Sequence, residues 1–339
     1  MKRAASLLII ALVISLIFVG CAKPAPAPVP APTPAPTPTP APAPTPPWSP
    51  TKTITWMVPH APGGGFDTYS RAIARVMEKD LGVTIVIKNI PGAGSRTGTI
   101  FLNRSKPDGH TFGIINLMGL IALDVIEKSE LYDLSKFTWL GQIGADNNCF
   151  SVSADSPFQT LEDLQKAEKV KFADVGAGTS GWVIAQLAKG VMKIPMLLVT
   201  GYTGSGACIV AVLRGDADVV VPGGIPLAYP YIKAGDLRAV LQFTIEPDPL
   251  LPDVPTLKGT GYEELEVLKV VRFIAAPPGT PKEIADVLEA SLMKAIKGEE
   301  LQKWSKDVNR PIIPATGAEA AQIVKSLSEI LSRYEAMFK

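Results

Sequence analysis

Four apolar stretches typical of β-strands each end in a loop that contains glycine, and this recurrence constrains the fold more than any other feature of the sequence. The loops are centred on Gly64, Gly178, Gly204 and Gly223. The first follows the apolar run TITWMVP, leads into a segment with one apolar stripe at helical spacing, and precedes a further strand, VTIVIKN. A strand, a loop, a helix and a strand within about 30 residues form a βαβ unit. The sequence therefore predicts an α/β fold with mostly parallel pairing.

The four loops fall into two groups along the chain. In open α/β sheets, ligands bind outside the carboxyl ends of the strands. Two groups of such strand ends predict two sheets that face one cleft, which is the architecture of a two-domain binding protein.

The run Gly63–Gly65 stands where a strand passes into a helix. The first N–H groups of a helix are unpaired and its dipole is positive at that end, so phosphates and carboxylates bind there without a cationic side chain. No Gly-Lys-Ser/Thr follows the glycines, and a G-x-G-x-x-G fingerprint fails at Thr68, so neither nucleotide-binding motif is present. The loop alone leaves a tight turn and a ligand loop equally open.

The first fifty residues differ from the rest of the chain. A basic start, an apolar run from Ala4 to Val19 and then Gly20–Cys21 indicate a lipoprotein signal peptide over residues 1–20, with Cys21 acylated. An uncleaved membrane anchor is the alternative, although about 16 apolar residues are short for a span of roughly 20. Residues 21–50 are almost entirely Pro, Ala and Thr, a composition that favours an extended polyproline II tether.

Charge and residue counts exclude several classes of protein. After residue 50, 30 Lys and Arg stand against 32 Asp and Glu, so no basic face for nucleic acid is expected. The two histidines and the remaining cysteines form no cluster with metal-ligand spacing, and no metal or cofactor is expected. Cys149 and Cys208 could pair in an oxidising compartment or remain buried thiols, and the sequence leaves both open.

Six segments, in order, resemble signatures of one family: TITWMVPHAPGGGFDTYSRAIA, IKNIPGAGSRTGT, KPDGHTFGIIN, GYTGSGACIVAVLRGDADVV, YIKAGDLRAV and LPDVPTL. The chain from Thr51 to about Pro281 resembles the solute-binding proteins of tripartite tricarboxylate transporters, the Bug family. The resemblance implies a type II periplasmic-binding-protein fold, a monomer whose two α/β domains close over a small organic carboxylate. We expect residues 51–153 and 243–339 to form domain 1 and residues 154–242 to form domain 2.

The resemblance also implies which loops hold the ligand. One is His60 to Asp67, the opposing one is Gly201 to Gly206, and a hydroxyl position of the family falls on Thr179. Two departures from the family pattern are Phe66, where Thr is usual, and Asp174, where Ser is usual. The residues predicted to bind the ligand are His60, Gly64, Gly65, Phe66, Asp67, Thr179, Ser180, Tyr202, Thr203, Gly204 and Gly223.

Several individual residues have a competing structural interpretation. Asp67 is expected as the N-cap of the first helix in preference to a ligand contact, since a carboxylate repels an anion. His110 and Arg96 are expected to be structural and on the surface, respectively. An aromatic residue usual in the late strand is missing, and Arg272 nearby could reach the cleft instead. Trp182 is equally suited to the core and to the cleft wall.

The function predicted on this basis is an extracytoplasmic, lipid-anchored receptor that passes a carboxylate to the membrane subunits of a transporter. The alternative is a binding protein that serves a sensor or has no cognate transporter. An enzyme is not expected, because Ser180 and Ser205 lie beside glycines but miss the G-x-S-x-G spacing of a hydrolase. The sequence leaves open whether the ligand is a tricarboxylate, a dicarboxylate, an acidic amino acid or an aromatic acid.

Replacement of Gly65 or Gly204 by Val is expected to abolish ligand binding and leave the fold largely intact, because each glycine exposes backbone donors to the anion. Calorimetry of both variants tests this expectation. Wild-type affinity in both would show that the cleft lies elsewhere.

Overall fold

Two mixed β-sheets form the framework of the structure, a computed structural model that describes residues 48–127 and 129–339. The strands are β1 (Ile54–Val58), β2 (Ile85–Asn89), β3 (Thr111–Asn116), β4 (Thr138–Asp146), β5 (Cys149–Ser153), β6 (Val170–Ala173), β7 (Met196–Val199), β8 (Val219–Val220), β9 (Leu237–Gln242), β10 (Val270–Ala276) and β11 (Ala315–Thr316). The first sheet has the order β11-β4-β10-β3-β1-β2 and the second β7-β6-β8-β5-β9.

Helices cover the sheets and connect their strands. They are α1 (Gly65–Leu81), α2 (Arg96–Asn103), α3 (Leu117–Glu127), α4 (Leu161–Lys166), α5 (Ser180–Gly190), α6 (Ser205–Leu213), α7 (Ile225–Ala234), α8 (Lys282–Lys297), α9 (Glu299–Asp307), α10 (Gly317–Ser332) and α11 (Glu335–Phe338). We call each sheet with its covering helices a lobe, the first lobe around β1 and the second around β6.

The predicted α/β fold is confirmed, with parallel pairing at the strands that carry the glycine loops. β1 pairs in parallel with β2 and β3, and β6 pairs in parallel with β7 and β8. Both sheets also contain antiparallel strands, because β10 lies between β3 and β4 while β5 lies between β8 and β9. The strand ends that carry the loops therefore point toward one region between the lobes.

The chain crosses between the lobes twice, and the first crossing lies earlier than we expected. β5 was expected at the end of domain 1, but it pairs with β8 and β9 of the second sheet. The crossing therefore falls at Asn147 and Asn148, between β4 and β5. The return crossing follows β9. Asn148 joins the two crossings. Its side-chain amide donates to Leu268 O at 2.7 Å, and its backbone carbonyl accepts from Phe243 N at 2.8 Å.

The helices that the sequence did not predict lack the alternation of apolar and polar residues that marks a helix. Helix α3 is apolar on nearly every side, because Leu117–Leu123 are all buried, so no amphipathic stripe marks it. Helix α7 carries Pro230 in its interior, which argues against a helix from sequence. The region after β10 contains four helices, α8 to α11.

The two lobes touch closely where glycines of the first meet the Ala177–Gly178 loop of the second. A methyl group added at Gly94 or at Gly119, both in the first lobe, would overlap the backbone of Ala177 or Gly178 in the second. Glycine is thus required for this close approach. At the other end of the chain, α11 packs against both α3 and α5, and the ring of Phe338 lies 5.7 Å from that of Trp182.

The predicted signal peptide, the acylated Cys21 and most of the tether lie outside the residues that the structure describes. Among the described residues, no helix combines the length and the apolar character that a membrane crossing requires.

Candidate functional site

A cavity of about 410 Å³ lies between the two lobes, at the carboxyl ends of the strands. Loops of both lobes line it, which agrees with the general position of ligands in open α/β sheets. The lining residues are His60, Ala61, Pro62, Gly63, Gly64, Gly65, Phe66, Asn116, Val270 and Arg272 from the first lobe, and Asp174, Val175, Thr179, Ser180, Gly181, Thr203, Gly204, Ser205, Gly206, Ala207, Cys208, Val221, Gly223 and Leu227 from the second.

The glycine loop of the first lobe delivers the N-terminus of α1 to this cavity. Gly64 is the N-cap and α1 begins at Gly65, so the expectation that Asp67 is the N-cap is wrong. Asp67 lies one turn further on, and its carboxylate accepts from Gly63 N at 2.9 Å and pairs with Arg71 at 2.9 Å. Burial opposes ionisation of Asp67, but Arg71, Gly63 and Asn89 together hold the pKa of this carboxyl below its ordinary value. Asp67 thus stabilises the glycine loop through its bond from Gly63 N and does not line the cavity.

A fully buried ion pair lies beneath the first turn of α1. Nη2 of Arg272 lies 2.6 Å from Oδ2 of Asp146, and both side chains are at most 1% exposed. The guanidinium also stacks over the rings of Phe66 and Tyr69, with centroids 5.1 and 4.6 Å away. A Cβ at Gly65 would lie 2.9 Å from Nη2 of Arg272, so the glycine allows the guanidinium to approach the helix end.

By contrast, Gly204 has an extended backbone and nothing within 4 Å of an added Cβ. Of the two glycine replacements proposed above, the one at Gly65 alone forces neighbouring atoms to move. An effect at Gly204 would therefore come from the volume that the new side chain takes from the cavity.

A chain of polar contacts crosses from the first lobe to the second along one wall. Nε2 of His60 lies 3.1 Å from the hydroxyl of Ser95, Asn116 donates to that hydroxyl at 3.5 Å, and Ser180 donates to Asn116 Oδ1 at 3.0 Å. Burial and the charge of Arg272 lower the pKa of His60 to about 4, so this ring is neutral at physiological pH. Phe66 packs against it, with 4.5 Å between the ring centroids.

The wall of the second lobe carries a carboxylate, Asp174, at the end of β6. Its Oδ1 accepts from Gly176 N at 2.7 Å and from the hydroxyl of Thr179 at 3.0 Å. Thr179 in turn is the N-cap of α5 and accepts from Trp182 N at 3.1 Å. Burial raises the pKa of Asp174 to about 6, although the bonds from Gly176 and Thr179 favour the ionised form.

Most of the predicted site residues surround this cavity. Nine of the eleven line it, namely His60, Gly64, Gly65, Phe66, Thr179, Ser180, Thr203, Gly204 and Gly223. Asp67 lies beneath the loop, and Tyr202 packs against a core cluster of the second lobe. The ligand contacts themselves remain predictions.

Among the residues that were not predicted, Asn116 lines the cavity and Asp146 pairs with the lining residue Arg272, and only Asn116 could have been recognised from the sequence. Asn116 ends the buried strand TFGIIN and stands before an apolar helix, so an amide at that position is unusual for a core. Asp146 ends β4, which the sequence did not predict. Its pairing with Arg272 depends on a register between strands far apart in the chain, which no local pattern reveals.

The remaining candidates have structural positions. Trp182 belongs to the core, His110 lies against Trp48 with ring centroids 5.9 Å apart, and Arg96 pairs with Glu127 at 2.7 Å. Cys149 and Cys208 are free buried thiols, and burial raises the pKa of each to about 12. Within the described part of the chain, no group of three His, Cys, Asp or Glu side chains could hold a metal ion.

A family model described as "Tripartite tricarboxylate transporter family receptor" matches residues 69–337. The chain is 29% identical over 287 residues to a UPF0065 protein of Pseudomonas sp. strain P51, which covers 83% of this chain and 84% of the relative. It is 26% identical over 268 residues to protein BugT of Bordetella pertussis. This match covers 74% of this chain and 78% of BugT. The matched family consists of receptors, which confirms the expectation of a binding protein over an enzyme.

Solved structures share the fold. A periplasmic transporter protein superimposes with a TM-score of 0.76 at 26% identity, over 84% of this chain and 96% of the other. MatC of Rhodopseudomonas palustris, with bound malate, superimposes with a TM-score of 0.75 at 25% identity, over 86% of this chain and 100% of the other. The type II periplasmic-binding-protein fold expected from the resemblance is confirmed.

Replacement of His60 by Gln is expected to reduce the acid sensitivity of folding. Burial and the charge of Arg272 lower the pKa of His60 from its ordinary value of 6.5 to about 4 in the folded protein. Between these two pH values the unfolded chain therefore binds more protons than the folded one. The stability that neutral His60 contributes is therefore complete above about pH 6.5 and is lost as the pH falls toward 4.

The wild type should lose roughly 2–3 kcal/mol more than the His60→Gln variant between pH 7 and pH 4. Urea unfolding at each pH measures the difference in the free energy of unfolding. Asp174 changes this free energy in the opposite direction between pH 7 and pH 4, but its effect cancels because both proteins contain it. Parallel pH profiles would show that His60 titrates normally in the fold.

Proposed function

Because this chain belongs to the tripartite tricarboxylate transporter receptor family, we propose that it is an extracytoplasmic, lipid-anchored receptor for a small organic carboxylate. The receptor captures the ligand by closing its lobes and delivers it to the membrane subunits of a tripartite tricarboxylate transporter. The lipid on Cys21 holds it at the membrane, and residues 22–50 act as its tether.

The single observation that carries the proposal is the convergence of an open helix N-terminus and a guanidinium on one interlobe cavity. The first-turn amides of α1 have no partner within the helix, and the positive end of the 17-residue helix faces the cavity. Arg272 lies beside this helix end in an ion pair with Asp146, and its guanidinium has further N–H groups of the kind that bind a carboxylate. A carboxylate at this position also matches the class of ligand in the MatC structure, which contains malate.

Ligand contacts are assigned to loops of both lobes, so binding couples to lobe closure. A ligand that touches His60, Gly65 and Phe66 on one side and Thr179, Thr203 or Gly223 on the other binds the closed form better than an open one. It therefore shifts the population toward closure. The first crossing, at Asn147 and Asn148, is short, and Asn148 is hydrogen-bonded to the return crossing at Phe243 and Leu268, which is the arrangement of a hinge.

Thermal unfolding of the purified full-length protein with a panel of acids tests the proposal. The panel contains succinate, malate, citrate, adipate, glutamate and benzoate, and the protein is first unfolded and refolded to remove any ligand carried through purification. An acid at one hundred times its dissociation constant should stabilise the fold by about 2.7 kcal/mol. Absence of stabilisation by every carboxylate in the panel would contradict the receptor function.

Replacement of Gly94 by Ala is expected to weaken binding of the best acid at least tenfold. The added methyl group would overlap Ala177 O of the second lobe, so the lobes cannot approach fully. Gly82→Ala is the matched control, since both glycines have φ near +65° (62° and 70°) but no atom lies within 4 Å of a Cβ at Gly82.

Both variants should lose a similar stability, about 1–2 kcal/mol, for an L-residue in the left-handed region. Only Gly94→Ala should lose affinity in calorimetry. Equal affinities in the two variants would show that the Gly94 contact has no part in closure.

A further inference from the structure

The two walls of the cavity carry opposite charge. In the first lobe, the guanidinium groups of Arg272 and Arg310 both reach the first turn of α1, since a Cβ at Gly65 would lie 2.9 and 3.1 Å from them. Asp146 pairs with Arg272, whereas Arg310, which lies behind Gly65 and does not line the cavity, forms no ion pair with a described carboxylate. The first-lobe side therefore has a net positive charge, to which the helix dipole of α1 adds.

The second-lobe side carries a carboxylate, Asp174, beside the N-termini of α5 and α6, which end at the same wall. Asp174 is 6% exposed, lines the cavity, and forms no ion pair with any described Lys, Arg or His. Its Oδ1 accepts from Gly176 N and from the Thr179 hydroxyl, which also lies 3.3 Å from Oδ2, and Oδ2 lies close to Gly181 in the first turn of α5. Burial raises the pKa of Asp174 to about 6 although these contacts favour the carboxylate, so at neutral pH a negative charge without a cationic partner faces the ligand space.

A second carboxylate beside Asp174 would be repelled, because two like charges at close range disfavour each other's ionised forms. A cationic group at the same place would gain an ion pair in a site that is largely shielded from water. The polarity of the cavity thus selects between acids that are alike in length and differ in one amino group.

We propose that the ligand is an amino-carboxylate, whose carboxylate lies at the N-terminus of α1 beside Arg272 and whose ammonium group faces Asp174. This assignment rests on the proposed receptor function and names its substrate class. The cavity of about 410 Å³ accommodates a ligand of this size together with ordered water.

Three matched pairs of acids test the assignment: aspartate with succinate, glutamate with glutarate, and 2-aminoadipate with adipate. Within each pair the carbon chain is the same and the amino group alone differs. Calorimetry of the full-length wild type should show that the amino member binds at least tenfold more tightly in the pair whose length fits the cavity.

The Asp174→Asn variant separates a charge effect from a structural one. Asparagine keeps an oxygen that can accept from Gly176 N, but it has no charge. The preference within the fitting pair should fall below threefold, mainly through lost affinity for the amino member. A purely structural role of Asp174 would weaken both members equally and leave their ratio unchanged, which would overturn the assignment.

Asp133→Asn is the matched control. Asp133 also accepts from a backbone N–H two residues ahead, Ser135 N at 2.9 Å, but it does not line the cavity. This variant should keep the wild-type preference within each pair, and a collapse of the preference here would show that the effect is not specific to Asp174.

The remaining outcomes distinguish failure of the amino-carboxylate assignment from failure of the receptor function. Equal or tighter binding of the acids without an amino group would overturn the amino-carboxylate assignment and leave the receptor function standing. If none of the six acids binds, the assignment is also overturned. The receptor function then falls only if citrate, malate and benzoate fail as well.

Discussion

The buried ion pair between Arg272 and Asp146 is the interaction on which the rest of the site depends. Removing both charges from water is costly, and breaking such a pair by loss of one partner typically costs about 3–5 kcal/mol. The pair is stabilised by hydrogen bonding and by the rings of Phe66 and Tyr69 on the guanidinium. The pair lies at the end of β4 and near the start of β10, and its guanidinium packs so closely beneath the first turn of α1 that a Cβ at Gly65 would lie 2.9 Å from Nη2.

The same pair also connects the first lobe to the second. The Asp146 side chain lies so close to Gly224, the N-cap of α7, that a Cβ there would be 2.8 Å from its carboxylate oxygen. One anion thus neutralises Arg272 and faces the positive end of a second-lobe helix. A change in the relative position of the lobes alters the surroundings of this carboxylate, so closure and the electrostatics of the cavity are physically coupled.

Local patterns in the sequence predicted the glycine loops, the α/β class and most of the cavity wall, because each depends on a few adjacent residues. Glycine before a helix marks an exposed helix end wherever the rest of the chain lies. The pairing of Arg272 with Asp146 could not be predicted, since it depends on the register of β10 against β4. Helix α3 was missed for a related reason: it is buried between other elements on nearly all sides, so the tertiary structure removed the amphipathic period that would mark it.

The insertion of β10 between β3 and β4 has a consequence for how the protein forms. A chain that emerges from its N-terminus supplies β3 and β4 early, yet the strand that pairs with both comes only after the entire second sheet. The second lobe is contiguous from β5 to β9 and can therefore complete its sheet first, whereas the first sheet waits with unpaired strand edges. Such edges are sites of aggregation in incompletely folded chains. Helix α11 follows every described strand in the chain and packs against both α3 and α5, so this contact between the lobes can form only after both sheets have been synthesised.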